Sequence, residues 1–122
     1  MKLLDTDIFI DFFQGIPEAV RFFRENADEI IFSSITEAEL LAGRICDHQS
    51  EKEKVLHLLA QFEKIPVDNP LVQIAGDFRR KYDIELPDAL IAASTFMVGA
   101  QLITRNARDF KKVKEITVKV PY

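Results

Sequence analysis

Short apolar runs alternate along this chain with longer stretches in which hydrophobic residues recur every three or four positions. The runs of strand type lie at Lys2 to Leu4, Glu29 to Ser33, Lys64 to Val67, Ala100 to Thr104 and Ile116 to Val120, which predicts five strands. Between them, Val20, Phe23 and Ala27 follow Pro17 at a first-turn position, and Val55, Leu58, Leu59 and Phe62 hold the spacing of one helix face. Ser50 and Glu53 have capping-box spacing for the latter helix. Leu71, Ile74, Ala75, Phe78 and Tyr82 repeat the stripe. Ala89 to Ala93 is apolar on almost every side, the mark of a deeply buried helix, which Pro87 should start and Gly99 should end. The one break in the alternation is a pair of consecutive helices between the third and fourth strands, parted by the loop Asp83 to Leu86.

Strands alternating with helices predict an α/β fold, a three-layer α/β/α sandwich around a parallel sheet joined by right-handed crossovers. With 122 residues the chain holds one hydrophobic core and is too short for two, so residues 1–122 read as a single domain.

Composition narrows the function. A hydrophobic fraction of 48% with few Gly and Pro argues against disorder. The net charge of −4 argues against a broad basic face that grips a polyanion, so any nucleic-acid contact must be local. The sole cysteine, Cys46, has no intramolecular partner; it reads as a small buried hydrophobe and suits a reducing cytoplasm. Asp5, Asp7 and Asp11 interrupt the first apolar residues before an export signal could form, and no run reaches membrane-spanning length. A soluble cytoplasmic protein with no membrane partner is expected.

Four acids stand where strands give way to helices or where helices begin. Asp5 ends the first strand, Glu39 reads as lying in the first turn after the second, Asp88 follows Pro87, and Asp109 comes shortly after the fourth strand. In an open parallel sheet these positions share the carboxyl edge. Each has a plainer explanation: Thr36 with Glu39, and Asn106 with Asp109, have capping-box spacing, and Asp88 complements a helix dipole. Asp5 is the exception, because a carboxylate ending a buried strand has no routine structural purpose. Two carboxylates roughly 6 Å apart repel by on the order of 3 kcal/mol at an effective dielectric of about 20, so a cluster must protonate or bind a cation. Oxygen-only ligands select Mg²⁺ or Mn²⁺, whose common work is phosphoryl chemistry, and His48 and His57 lie in the helical region far from these acids.

Leu3-Leu4-Asp5-Thr6-Asp7, Ser34 to Gly43, Leu86 to Ala93 and Leu102 to Phe110 resemble, in order and spacing, the four motifs of PIN-domain ribonucleases, and more narrowly the VapC toxins of prokaryotic toxin–antitoxin pairs. The resemblance spans nearly the whole chain. It implies a metal-dependent endoribonuclease in which Asp5 and Asp88 are the main metal ligands and Glu39 binds metal directly or through water. Some family members carry an acid at the position of Asn106, and others pair Asn there with an acid three residues later. Having the second pattern, this chain gives Asp109 the acidic role and Asn106 a supporting one. Asp7 stands where the family often has Asn, and is either an extra ligand or a group that orients the first turn. Thr6 and Thr104 would bond the carboxylates or a phosphate oxygen, and Arg105 and Arg108 would grip RNA as part of a basic segment with Lys111, Lys112 and Lys114. The shorter cluster Arg79, Arg80 and Lys81 reads as a solvated helix end. The resemblance also implies products with 5′-phosphate and 3′-hydroxyl ends, a homodimer, and neutralisation by a small antitoxin lying over the groove. Surface-exposed members of the set Phe9, Phe12, Phe13, Phe22 and Phe23 would supply a patch for a partner.

Three rivals remain in view. A phospho-acceptor receiver domain would use Asp68 after the third strand, but it alternates strand and helix strictly and leaves Glu39 and Asp88 idle. A haloacid-dehalogenase-type phosphatase would use Asp5 and Asp7, yet Ile8 and Phe9 follow where its motif continues with Gly and Thr or Val. A PIN-like binding module without activity is disfavoured because no acidic position is lost.

Overall fold

In the computed structural model, which describes all 122 residues, the apolar runs form strands β1 (Lys2–Leu4), β2 (Ile30–Ser33), β3 (Glu63–Ile65), β4 (Gln101–Ile103) and β5 (Thr117–Lys119). All are parallel, in the order β3-β2-β1-β4-β5, with Leu4 opposite Ile103 and Leu3 opposite Ile31. Seven helices surround them: α1 (Thr6–Phe13), α2 (Pro17–Asn26), α3 (Ser34–Ala42), α4 (Gln49–Leu59), α5 (Asn69–Tyr82), α6 (Leu86–Val98) and α7 (Ala107–Phe110).

Side chains alternate across a strand, and here both faces are apolar. Leu3 and Leu102 enter one core with Leu71, Ala75 and Phe78 of α5 and Ala89, Ala92 and Ala93 of α6. Leu4 and Ile103 point the other way, into Phe9, Phe23, Leu40, Val55 and Leu59 from α1 to α4. Two cores on opposite faces of one sheet make the three-layer sandwich.

Consecutive helices are not confined to the crossover between β3 and β4. They also follow β1 and β2, because the chain breaks helix α1 at Gly15, whose φ is +74°, and interrupts α3 at Gly43 before a 3-10 turn at Arg44–Cys46. The capping box at Ser50 does not form. Helix α4 starts two residues earlier, with His48 at its N-cap and no side-chain cap, and Glu53 accepts instead from Gln49. The stripe on α2 is also rotated: Ala19 and Phe23 are buried while Val20 and Ala27 are exposed, since the Phe23 ring packs edge-on to Phe9 with centroids 5.4 Å apart. Gly99, with φ +67°, closes α6 as expected, its N–H returning to the carbonyls of Phe96 and Thr95.

From β1 the sheet grows through β2 and β3 in one direction and through β4 and β5 in the other. A crevice therefore opens at the carboxyl ends of β1 and β4, where open α/β sheets bind their ligands. A receiver-type sheet has its first and third strands adjacent, an order this chain does not have. No helix is long and apolar enough to cross a membrane.

A carboxylate-rich candidate active site

Asp5 sits in that crevice. Its N–H donates to the Ile103 carbonyl at 2.9 Å, prolonging the ladder between β1 and β4 by one bond. The side chain caps α1 by accepting from the Thr6 N–H at 2.8 Å, and its other oxygen accepts from the Thr104 hydroxyl at 2.8 Å. Only 7% of the residue is exposed. Burial, and then the charge of Asp7, push its pKa up to about 7 against the pull of those two hydrogen bonds; Asp88 adds to the rise.

Glu39 lies in the second turn of α3 rather than the first. The cap of that helix is Ser33, whose hydroxyl accepts from Ile35 N–H, so no capping box joins Thr36 to Glu39. Three residues apart, Thr36 and Glu39 share one face of the helix and turn it toward α1. The Thr6 hydroxyl donates to Glu39 Oε1 at 2.6 Å and lies 3.0 Å from the Thr36 hydroxyl. Sequence reasoning gave Thr36 only a capping role; its helical spacing from Glu39 was the signal for the other one.

Asp88 is the third residue of α6, in the first turn as expected. Its pKa is raised by burial first and then by the charges of Asp109, Glu39, Glu85 and Asp7. Asp109 is half-buried on α7 and pairs with Lys112 at 3.1 Å. Asn106 is exposed and its side chain caps nothing, which removes the capping-box reading there too; its N–H donates to the Thr104 hydroxyl at 3.0 Å.

Asp7 adds a fifth carboxylate. One oxygen accepts from Arg105 N–H at 3.0 Å, and the other is buried without any partner. Burial is the main cause of its raised pKa. The hydroxyls of Thr6 and Thr104 are both buried and directed at carboxylates, one of the two uses expected of them. Arg105 and Arg108 are exposed at the rim, with Lys111 and Lys114 beyond them.

The acids thus share one neighbourhood, and each of Asp5, Asp7 and Asp88 carries a charge penalty. No three of them close on a single point as ion ligands would, so closure requires side-chain adjustment. The set nonetheless fits a hard divalent cation: every candidate donor is oxygen, and the orphaned Asp7 oxygen is an acceptor that burial has deprived of water.

Elsewhere, Asp68 caps α5 by accepting from Leu71 N–H at 3.2 Å, a sufficient structural purpose. Phe9 and Phe23 are buried and Phe12, Phe13 and Phe22 half-buried, with Phe9 edge-on to Phe23 and Phe12 edge-on to Phe13, so the aromatic set is mostly core. The exposed apolar side chains on α5 and α6 are Val72, Leu86, Phe96 and Met97. Beside Glu39, a groove of about 450 Å³ is lined by Ile10, Phe13, Leu40, Arg44 and Ile45 among others.

Comparison with known proteins agrees with this geometry. The family model described as PIN domain matches residues 2–116. Ribonuclease VapC19 of Mycobacterium tuberculosis is 34% identical over 118 residues, covering 90% of this chain and 92% of that protein. Among solved structures, a toxin–antitoxin complex from Klebsiella pneumoniae superposes with a TM-score of 0.87 at 30% identity, covering 100% of this chain and 98% of the other. FitAcB from Neisseria gonorrhoeae superposes at 0.81 with 26% identity, covering 99% and 98%.

Proposed function

This chain belongs to the PIN domain family, and from that premise we propose that its clustered carboxylates hydrolyse RNA phosphodiester bonds as the VapC-type toxin of a toxin–antitoxin pair. The observation that carries the reading is the Asp5 carboxyl, buried at the junction of β1 and β4, held by Thr104 and kept close to Asp7 and Asp88. No structural need explains that concentration of charge.

Asp5, Asp88, Glu39 and Asp109 would hold Mg²⁺ or Mn²⁺, with the unpartnered oxygen of Asp7 as a further acceptor. Bound there, the ion would supply Lewis acidity toward the phosphodiester. The chain's own part is positional. Thr104 fixes Asp5 and Thr6 fixes Glu39, so both carboxylates are oriented before substrate arrives. Asn106 supports the pocket through its N–H bond to Thr104. Arg105 and Arg108 at the rim bind flanking phosphates, which offsets the repulsion an acidic protein of net charge −4 presents to RNA.

The antitoxin would take the groove beside Glu39, whose apolar floor and Arg44 suit an amphipathic segment carrying acid groups. A homodimer through the exposed apolar side chains of α5 and α6, and a cytoplasmic location, complete the proposal.

The test is cleavage of RNA with and without Mg²⁺ by the wild type, Asp5→Asn and Asp88→Asn, with folding checked by circular dichroism. Loss of Mg²⁺-dependent cleavage in both folded variants is expected. Undiminished cleavage by both would refute the assignment.

A further inference from the structure

Beside the carboxylates, Arg105 is tied into a second polar cluster whose other members, Asp11 and Tyr122, lie outside the proposed metal and phosphate contacts. Asp11 stands four residues after Asp7, on the same face of α1. Its Oδ2 accepts from two donors that come from far along the chain: the Arg105 guanidinium at 3.2 Å and the Tyr122 hydroxyl at 2.9 Å. The guanidinium also lies over the Tyr122 ring, 5.2 Å from its centroid. Arg105 is thus fixed at its backbone by Asp7, along one edge by Asp11 and on one face by Tyr122, yet half of its side chain remains exposed.

We propose that Asp11 and Tyr122 are positioning residues that hold Arg105 as a pre-aimed phosphate clamp at the rim of the carboxylate pocket. The inference rests on the ribonuclease reading for its substrate, single-stranded RNA. A guanidinium has five N–H donors and Asp11 engages one nitrogen, which leaves donors for a phosphate oxygen. A long side chain already held in place loses less freedom when the phosphate arrives. Tyr122 serves best as the stationary part, because burial and its bond to Asp11 both keep the phenol protonated and donating. Arg105 follows Thr104 directly, and Thr104 holds Asp5, so a phosphate bound at Arg105 is registered against the pocket through one peptide unit.

The experiment measures binding of a fluorescein-labelled single-stranded RNA to the full chain by anisotropy across a salt titration, in an Asp88→Asn background that does not consume the RNA. Steady-state cleavage is measured in parallel without that background. Tyr122→Phe deletes one hydroxyl and keeps the ring; it is cleaner than any change at Asp11, which would also remove a negative charge that repels RNA. Tyr122→Phe should weaken RNA binding and raise KM by roughly threefold to tenfold, the range for ordering one long side chain, with kcat, Tm and the salt slope retained. Arg105→Ala should weaken binding further and flatten the salt slope by about 0.7, one phosphate contact on a single strand. Adding Tyr122→Phe to Arg105→Ala should then change nothing more, since the two residues act as one unit.

Equal effects of Tyr122→Phe with and without Arg105 would overturn the proposal. So would RNA affinity that is indifferent to Tyr122, or a loss of affinity that follows a fall in Tm. The coupling is read from binding alone, so it stands or falls separately from the nuclease assignment, which Asp5→Asn tests through cleavage.

Discussion

At the amino end of the sheet, Lys2 of β1 reaches Asn26 at 2.5 Å and Glu29 at 2.8 Å, and the bond from Lys2 draws the Glu29 carboxyl below its usual pKa range. At the carboxyl end of the sheet, burial is the first cause that pushes Asp5, Asp7 and Asp88 upward, and neighbouring acids add to it: Asp7 and Asp88 on Asp5, Asp11 on Asp7, and Asp109 and Glu39 on Asp88. Equivalent chemistry at the two ends of one layer has opposite electrostatics. One end pairs its charges at the surface, where such pairs contribute little. The other concentrates like charges under partial burial, a cost that a stable fold would avoid unless those groups had work to do.

The sharpest way to break this contrast is Asp5→Asn. It should abolish RNA cleavage and, in EDTA at a pH above its pKa of about 7, raise the Tm of the protein, because an ionised carboxylate is removed from a buried site. Calorimetry beside a cleavage assay reads both. Activity lost together with a lower Tm would mean that Asp5 is held for the fold.

Acidity should act with opposite signs at the two ends: the lowered Glu29 carboxyl supports the fold less as pH falls, while the raised acids of the carboxyl end support it more. Asp5 in the folded protein keeps its proton up to about 7, while the unfolded chain releases it near 3.8. The folded state therefore binds more protons in that window. The stabilisation from this group is complete below about 4 and is lost as pH rises through about 7, a difference on the order of 4 kcal/mol. Asp7 and Asp88 act with the same sign. Urea melts of the metal-free protein should show stability falling from pH 4 to 7, and Mg²⁺ should remove much of that fall.

A smaller effect is expected from Thr104→Val, which deletes the hydroxyl that orients Asp5. Mg²⁺ affinity or cleavage should drop roughly tenfold to a hundredfold, as for other groups that support metal ligands. The smallest change belongs to the other end of the sheet. Glu29→Gln breaks an exposed pair and should leave both Tm and cleavage unchanged within error.

Strands β1, β2 and β4 were legible because each is a brief apolar run closed by a polar residue, and Asp5 marks the close of β1 so sharply that its place in the crevice followed. Helix α6 was equally plain, since Pro87 and Gly99 bracket it and burial on nearly all sides leaves few polar residues to confuse the pattern. Elsewhere local signals misled. Ser50 and Glu53 have the spacing of a cap but lie inside α4, and Thr36 and Glu39 have it but serve α1 across the interface. At Glu39 a tertiary contact, and at Glu53 a bond from Gln49 one turn earlier, took the place of a motif whose intrinsic worth is about 1 kcal/mol. The bond between Tyr122 and Asp11 spans 111 positions and leaves no periodic trace in the sequence.

The placement of β4 between β1 and β5 governs how this protein is made. Asp5 emerges from the ribosome early, but the strand that completes its surroundings, and the Thr104 that holds it, come about a hundred residues later. A nascent polypeptide stalled before β4 lacks both strands on one side of β1. The surroundings of the Asp5 carboxylate are therefore assembled only once β4 has been made and has paired with β1.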